Sequence, residues 1–108
     1  MILDATTDPT GAVQAAEACL RSGGVVVLPT ETVYGVAALA ADPEAVGELF
    51  VLKGRPVDRR VAVLVADLDQ ARLLAVVDDR AVTLANTCWP GPLTMVLPAV
   101  PGTEEATV

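Results

Sequence analysis

The sequence contains no histidine and a single serine, Ser22. A Ser-His-Asp or Cys-His nucleophile system and imidazole acid–base chemistry are thereby excluded, so any chemistry must rest on positioning and electrostatics. Two cysteines, Cys19 and Cys88, stand far apart with no C-x-x-C spacing and no histidine to join them. A disulfide framework or zinc site is not expected, and a reducing cytoplasm is the expected compartment. No apolar run approaches the roughly 20 residues of a membrane span, so the mean hydropathy of +0.53 reflects core. Met1-Ile2-Leu3-Asp4 lacks a basic region and a long apolar stretch, so no secretory signal is expected. Positive charge is scarce: seven Lys and Arg face fourteen Asp and Glu, a net charge of −7 that disfavours nonspecific attraction to nucleic acid.

What is present is a chain of 108 residues, 53% hydrophobic, which fits one folded domain. Four of the seven cations cluster in KGRPVDRR, as Lys53, Arg55, Arg59 and Arg60. One compact basic cluster on an acidic protein suits a small anionic ligand, or else is a solvated loop.

The elements follow from local chemistry. Asp8-Pro9 caps and starts a helix with Val13, Ala16, Cys19 and Leu20 at near-helical spacing, and Gly23-Gly24 stops it. Val25–Leu28 shows no polar alternation and reads as a strand covered on both faces, ended by Pro29. Asp42-Pro43 starts a second helix whose apolar stripe, Val46, Leu49 and Phe50, carries Lys53 on its core-facing side. Gly54 and Pro56 end that helix and set Arg55 on a turn. Arg60–Asp67 is expected as a strand with Val61, Val63 and Val65 on one face. Leu68–Val76 is a weak helix, Asp78–Trp89 a better one with Val82, Leu84 and Ala85 apolar, and Leu93–Leu97 a last strand closed by Pro98. The order helix, strand, helix, strand, helix, strand predicts a sheet with helices packed on it. Ala106-Thr107-Val108 resembles the start of another strand, whose absence would leave an unpaired sheet edge.

Three segments carry polar or rigid groups out of this frame. Pro29-Thr30-Glu31-Thr32 leaves the first strand with hydroxyls and free backbone N–H groups that can hold carboxylate or phosphate oxygens, followed by Tyr34 as a wall and donor. Gly35 allows a close backbone approach or a positive φ. The alternative is a capping turn beside a core tyrosine. KGRP offers a point charge and a bidentate fork for an anion. In WPGPLT two prolines fix a loop and Trp89 packs beneath it, as a rigid connection or as part of a site.

PTETVYG, then K-x-R-P, then WPGPLT before a strand, in that order, closely resembles the YrdC-like family of threonylcarbamoyl-AMP synthases. The resemblance runs from about Val13 to the C-terminus. It implies an α/β sandwich around a twisted mixed sheet, here cut short after about half of the domain, with residues 1–9 as a lead-in and 10–108 as the YrdC-like domain. The implied reaction is that of a nucleotidyltransferase: L-threonine, bicarbonate and ATP, with Mg²⁺, give threonylcarbamoyl-AMP and pyrophosphate for N6-threonylcarbamoyladenosine in tRNA.

Carried over, the K-x-R pair falls on Lys53 and Arg55, which would hold ATP phosphates and the threonine carboxylate. Thr32 and Tyr34 would contact threonine, with Thr30 beside them. The family's S-x-N motif is missing; Asn86 precedes WPGPLT and lacks the serine, so it does not take that place. Arg60-Val61 stands where the family often has Pro-Leu, so Arg60 adds a charge. Without the S-x-N half, weak or absent catalysis is expected, with downstream tRNA-modification machinery as partner, no membrane, and self-association through an uncovered sheet edge. The alternatives are a module that binds tRNA or double-stranded RNA, and a carbamoyl-transfer domain of the kind found in hydrogenase maturation proteins.

Overall fold

The computed structural model describes residues 1–54 and 61–102. The chain divides into two compact units, Met1–Pro56 and Val57–Val108. The first holds helix α1 (Pro9–Arg21), strands β1 (Val26–Pro29) and β2 (Tyr34–Ala37), and helix α2 (Pro43–Lys53). The second holds α3 (Leu68–Arg72) and α4 (Asp79–Cys88). The architecture is α/β, and its described ladder is a two-stranded antiparallel sheet.

In the first unit both helices begin as the Asp-Pro pairs require. The Asp8 carboxylate accepts from the Gly11 N–H at 3.0 Å, and Asp42 accepts from Glu44 and Ala45 at 3.1 and 3.2 Å, with a proline preset for the first turn of each. The half-buried stripe of α1 runs through Ala12, Ala15, Ala16, Cys19 and Leu20. Val13 was expected on that stripe but is 65% exposed. α1 packs against β1. α2 buries Ala45, Leu49 and Phe50: Leu49 and Phe50 are buried as expected, and Ala45 takes the place expected of Val46. Val46 is only half-buried, and the last turn, with Val51, Leu52 and Lys53, is exposed. Lys53 is thus not core-facing, because the helix outruns its buried stripe.

The strand expected at Val25–Leu28 is present as Val26–Pro29, but not covered on both faces. β2 returns antiparallel, pairing Val26 with Ala37, Val27 with Val36, Leu28 with Gly35 and Pro29 with Tyr34. Opposed residues share a face in such a pair. Val26, Leu28, Gly35 and Ala37 are half-buried, whereas Val27, Pro29 and Tyr34 are exposed. One side of the hairpin is half-buried throughout, whereas on the other only Val36 is half-buried. β2 itself was not expected: the polar segment after Pro29 is the turn of a hairpin, not a departure from the sheet.

In the second unit α4 starts at the Asp78 cap, which accepts from the Ala81 N–H at 2.9 Å, and buries Ala81 and Ala85. Leu84, expected on the apolar side, is 48% exposed. α3 is shorter than its expected span and stops at Arg72. Leu74–Val76 instead pairs with Pro98–Val100: the Val76 N–H donates to Pro98 at 2.8 Å and the Val100 N–H to Leu74 at 2.9 Å, around an isolated Ala75–Ala99 bridge. The strands expected at Arg60–Asp67 and Leu93–Leu97 form no ladder among the described residues. Their period survives, since Val61, Val63 and Val65, and likewise Leu93, Met95 and Leu97, are half-buried between exposed neighbours. A strand requires a hydrogen-bonded partner as well as an alternating face, and here only the alternation is met. Arg60 and Ala106–Val108 lie outside the described residues.

Candidate functional site

The turn between β1 and β2 is organised by one side chain. The Thr30 backbone N–H donates to the Val33 carbonyl at 3.2 Å, and the Thr30 hydroxyl donates to the same oxygen. The hydroxyl oxygen accepts from the Thr32 N–H at 3.4 Å and from the Val33 N–H at 3.3 Å. Its methyl group lies 3.4 Å from where a Cβ on Gly35 would stand. Gly35 does not have a positive φ, so the backbone freedom expected of it is not used, and an added Cβ would meet only an ordinary contact.

Thr32, at the exposed crest of the turn, makes no side-chain hydrogen bond among the described residues, and Glu31 beside it has no cationic partner there. Tyr34 opens β2 with its side chain on the outer face of the hairpin, 75% exposed. It is therefore not a core tyrosine. The turn thus gathers Thr30, Thr32 and Tyr34 on five consecutive residues around a fixed backbone.

Lys53 is the last residue of α2. Gly54 caps that helix in the left-handed region at φ 63°, its N–H reaching back to Phe50 and Val51 carbonyls. Lys53 is exposed and forms no ion pair among the described residues; the pairs found are Arg21–Glu17 at 2.9 Å and Arg80–Asp78 at 3.2 Å. An unpaired ammonium at a helix end is available to an anion. Arg55, its expected companion, lies outside the described residues, as do Arg59 and Pro56.

The third motif is a rigid corner, as expected. The Trp89 indole N–H donates to the Leu93 carbonyl at 2.9 Å across the proline-bounded loop, and the Trp89–Pro90 peptide is cis. Trp89 and Pro90 line an open cavity of about 230 Å³ with Asp67, Leu68 and Asn86. A second, apolar cavity of about 340 Å³ lies in the first unit between α1 and the inner face of the hairpin, lined by Val13, Ala16, Leu20, Leu28 and Leu39. Thr30, Thr32, Tyr34 and Lys53 line neither cavity. Sequence reasoning missed Val33, whose carbonyl and N–H anchor the turn. The spacing of Thr30 to Val33, i to i+3, is the signal of a hydroxyl-closed turn that could have found it.

Comparison with known proteins places these features in a family context. The family model Sua5/YciO/YrdC, described as telomere recombination, matches residues 18–107. A threonylcarbamoyl-AMP synthase of Pyrococcus abyssi is 46% identical over 80 residues, covering 73% of this chain and 24% of that protein. One of Bacillus subtilis is 42% identical over 97 residues, 89% of this chain and 28% of that protein. One of Halorhodospira halophila is 42% identical over 88 residues, 81% of this chain and 46% of that protein. The chain therefore spans about a quarter of the first two relatives and under half of the third.

Proposed function

We propose, from the premise that this chain belongs to the Sua5/YciO/YrdC family, that it is part of a threonylcarbamoyl-AMP synthase and supplies the threonine-facing wall of its site. The observation that carries this reading is the match to synthases at 42–46% identity, within a family match that contains PTETVYG, Lys53 and WPGPLT in order.

The reaction is that of a nucleotidyltransferase acting on L-threonine, bicarbonate and ATP. The threonine amine captures bicarbonate-derived CO₂ as a carbamate with loss of water. A carbamate oxygen then attacks the α-phosphorus, the bond from that phosphorus to the β-phosphate oxygen breaks, and pyrophosphate leaves. No step needs a histidine. The demand is for orientation and for cations where charge gathers on the departing pyrophosphate. In this reading Thr32 and Tyr34 hold L-threonine, the free Thr32 hydroxyl bonding it and the exposed Tyr34 ring bounding it. Lys53 and Arg55 hold the phosphates and the threonine carboxylate, as a point charge and a fork. Mg²⁺ enters with ATP as the counter-ion of its phosphates; among the described residues no three acidic or cysteine side chains gather to cage a metal. The product passes to the tRNA-modification machinery in the cytoplasm. The hairpin, which has no third strand among the described residues, is the surface through which copies of the chain associate.

Incorporation of labelled pyrophosphate into ATP tests the reading, with calorimetric titration of L-threonine alongside. Exchange that requires both L-threonine and bicarbonate, or specific L-threonine binding with exchange slow or absent, is the expected outcome. Exchange indifferent to threonine, or no exchange together with no L-threonine binding, refutes it.

A further inference from the structure

A threonine hydroxyl has one proton to donate and two lone pairs with which to accept. In Thr30 all three are taken. The proton goes to the Val33 carbonyl, and the lone pairs meet the N–H groups of Thr32 and Val33. Thr32, two residues on, has its hydroxyl unengaged among the described residues. The two threonines of the same motif therefore cannot serve the same purpose. A ligand could bond Thr30 only by displacing part of the turn, whereas at the exposed Thr32 hydroxyl it displaces only water.

We propose that Thr30 is a positioning residue that makes no contact with substrate. Its hydroxyl clamps the backbone of Thr32 and Val33, and so fixes the direction in which Thr32 and Tyr34 meet L-threonine. The proposal rests on the functional reading above, from which the ligand is taken. The clamp is local: every partner lies within three residues, and the Thr30 side chain is exposed. Its loss loosens the turn without removing a core contact. The methyl group only lies over Gly35, so serine at this position keeps the clamp and valine abolishes it at almost unchanged shape.

The test uses the whole chain, with Thr30→Val, Thr30→Ser and Thr32→Val, read by backbone ¹⁵N order parameters and by calorimetric titration of L-threonine. Thr30→Val should lower the order parameters of Glu31–Val33 from the rigid range near about 0.85 to below about 0.6, and raise the L-threonine Kd about tenfold. Thr30→Ser should hold both close to wild type. Thr32→Val should leave the order parameters unchanged and lose L-threonine binding. An unchanged turn in Thr30→Val overturns the clamp. A loosened turn with wild-type L-threonine affinity overturns the positioning role, as does a serine variant as weak as the valine one. A wild-type chain that binds no L-threonine overturns the functional reading and the positioning role together. That failure is distinguished from failure of the clamp by the order parameters, which need no ligand.

Discussion

Gly54 and Gly91 are both needed by the loops they serve, for different physical reasons. Gly54 ends α2 at φ 63° with no atom of the described residues within 4 Å of an added Cβ, so the penalty a side chain meets from them is conformational. Gly91 has no positive φ, but a Cβ on it would stand 2.3 Å from the Cys88 carbonyl oxygen. That neighbour is backbone at the end of α4 and cannot rotate away. Gly54→Ala should therefore cost about 1 kcal/mol, while Gly91→Ala should cost more because the corner held by Trp89 and Leu93 must shift. Urea unfolding of both variants checks the order, and equal midpoints would contradict it. The two changes should also separate in binding: Gly54→Ala disturbs the helix end that carries Lys53, whereas Gly91→Ala acts in the other unit.

Among elements, α4 answers to pH through its cap. Asp78 holds the first turn of α4 by accepting from the Ala81 N–H, with Arg80 beside it. These two partners, the amide before the guanidinium, hold its carboxyl below its ordinary value of 3.8. A depressed folded-state value means that the cap's contribution is complete above the ordinary carboxylate range and is lost as pH falls through the lowered value. Asp78→Asn keeps an acceptor for Ala81 but cannot titrate. Its helical ellipticity should fall less than wild type between about pH 5 and pH 2; parallel acid limbs would show that the cap is not linked to protonation. The same local chemistry explains why helix starts were legible in the sequence. Asp8-Pro9, Asp42-Pro43 and the Gly54 stop act within a few residues, and each stands where it was expected. β2 was not legible, because Thr30-Glu31-Thr32 reads as polar loop until the Thr30 hydroxyl is seen to close a turn. Val33-Tyr34-Gly35-Val36, with β-branched and aromatic residues directly after it, was the available sign of a returning strand.

For the molecule as a whole, the legible part was what depends on order along the chain, and the illegible part what depends on partners. The three motifs predicted the family because their order is a property of the sequence. The alternation at Val61–Val65 and Leu93–Leu97 predicted which side chains are half-buried, but whether a ladder forms depends on another segment. Among the described residues the buried apolar ones are Ala45, Leu49, Phe50, Ala71, Ala81 and Ala85, four of them alanines, and alanine removes little apolar area from water. Larger side chains remain outside: Val27 is 65% exposed, Val33 71%, Tyr34 75% and Val96 92%. Among the described residues both strands of the hairpin are edge strands, and its outer face carries Val27, Pro29 and Tyr34, all exposed, beside half-buried Val36. An unprotected apolar edge pairs with another chain unless a charge or a covering element prevents it. Sedimentation velocity should accordingly show association that grows with protein concentration. Val27→Lys places a charge on the outer face, beside Val36 and away from the side that carries Val26 and Leu28, and should move the distribution toward monomer at unchanged helical ellipticity. A wild-type chain that sediments as a monomer at every concentration would contradict association through this surface. An unchanged distribution in Val27→Lys would place it elsewhere on the chain.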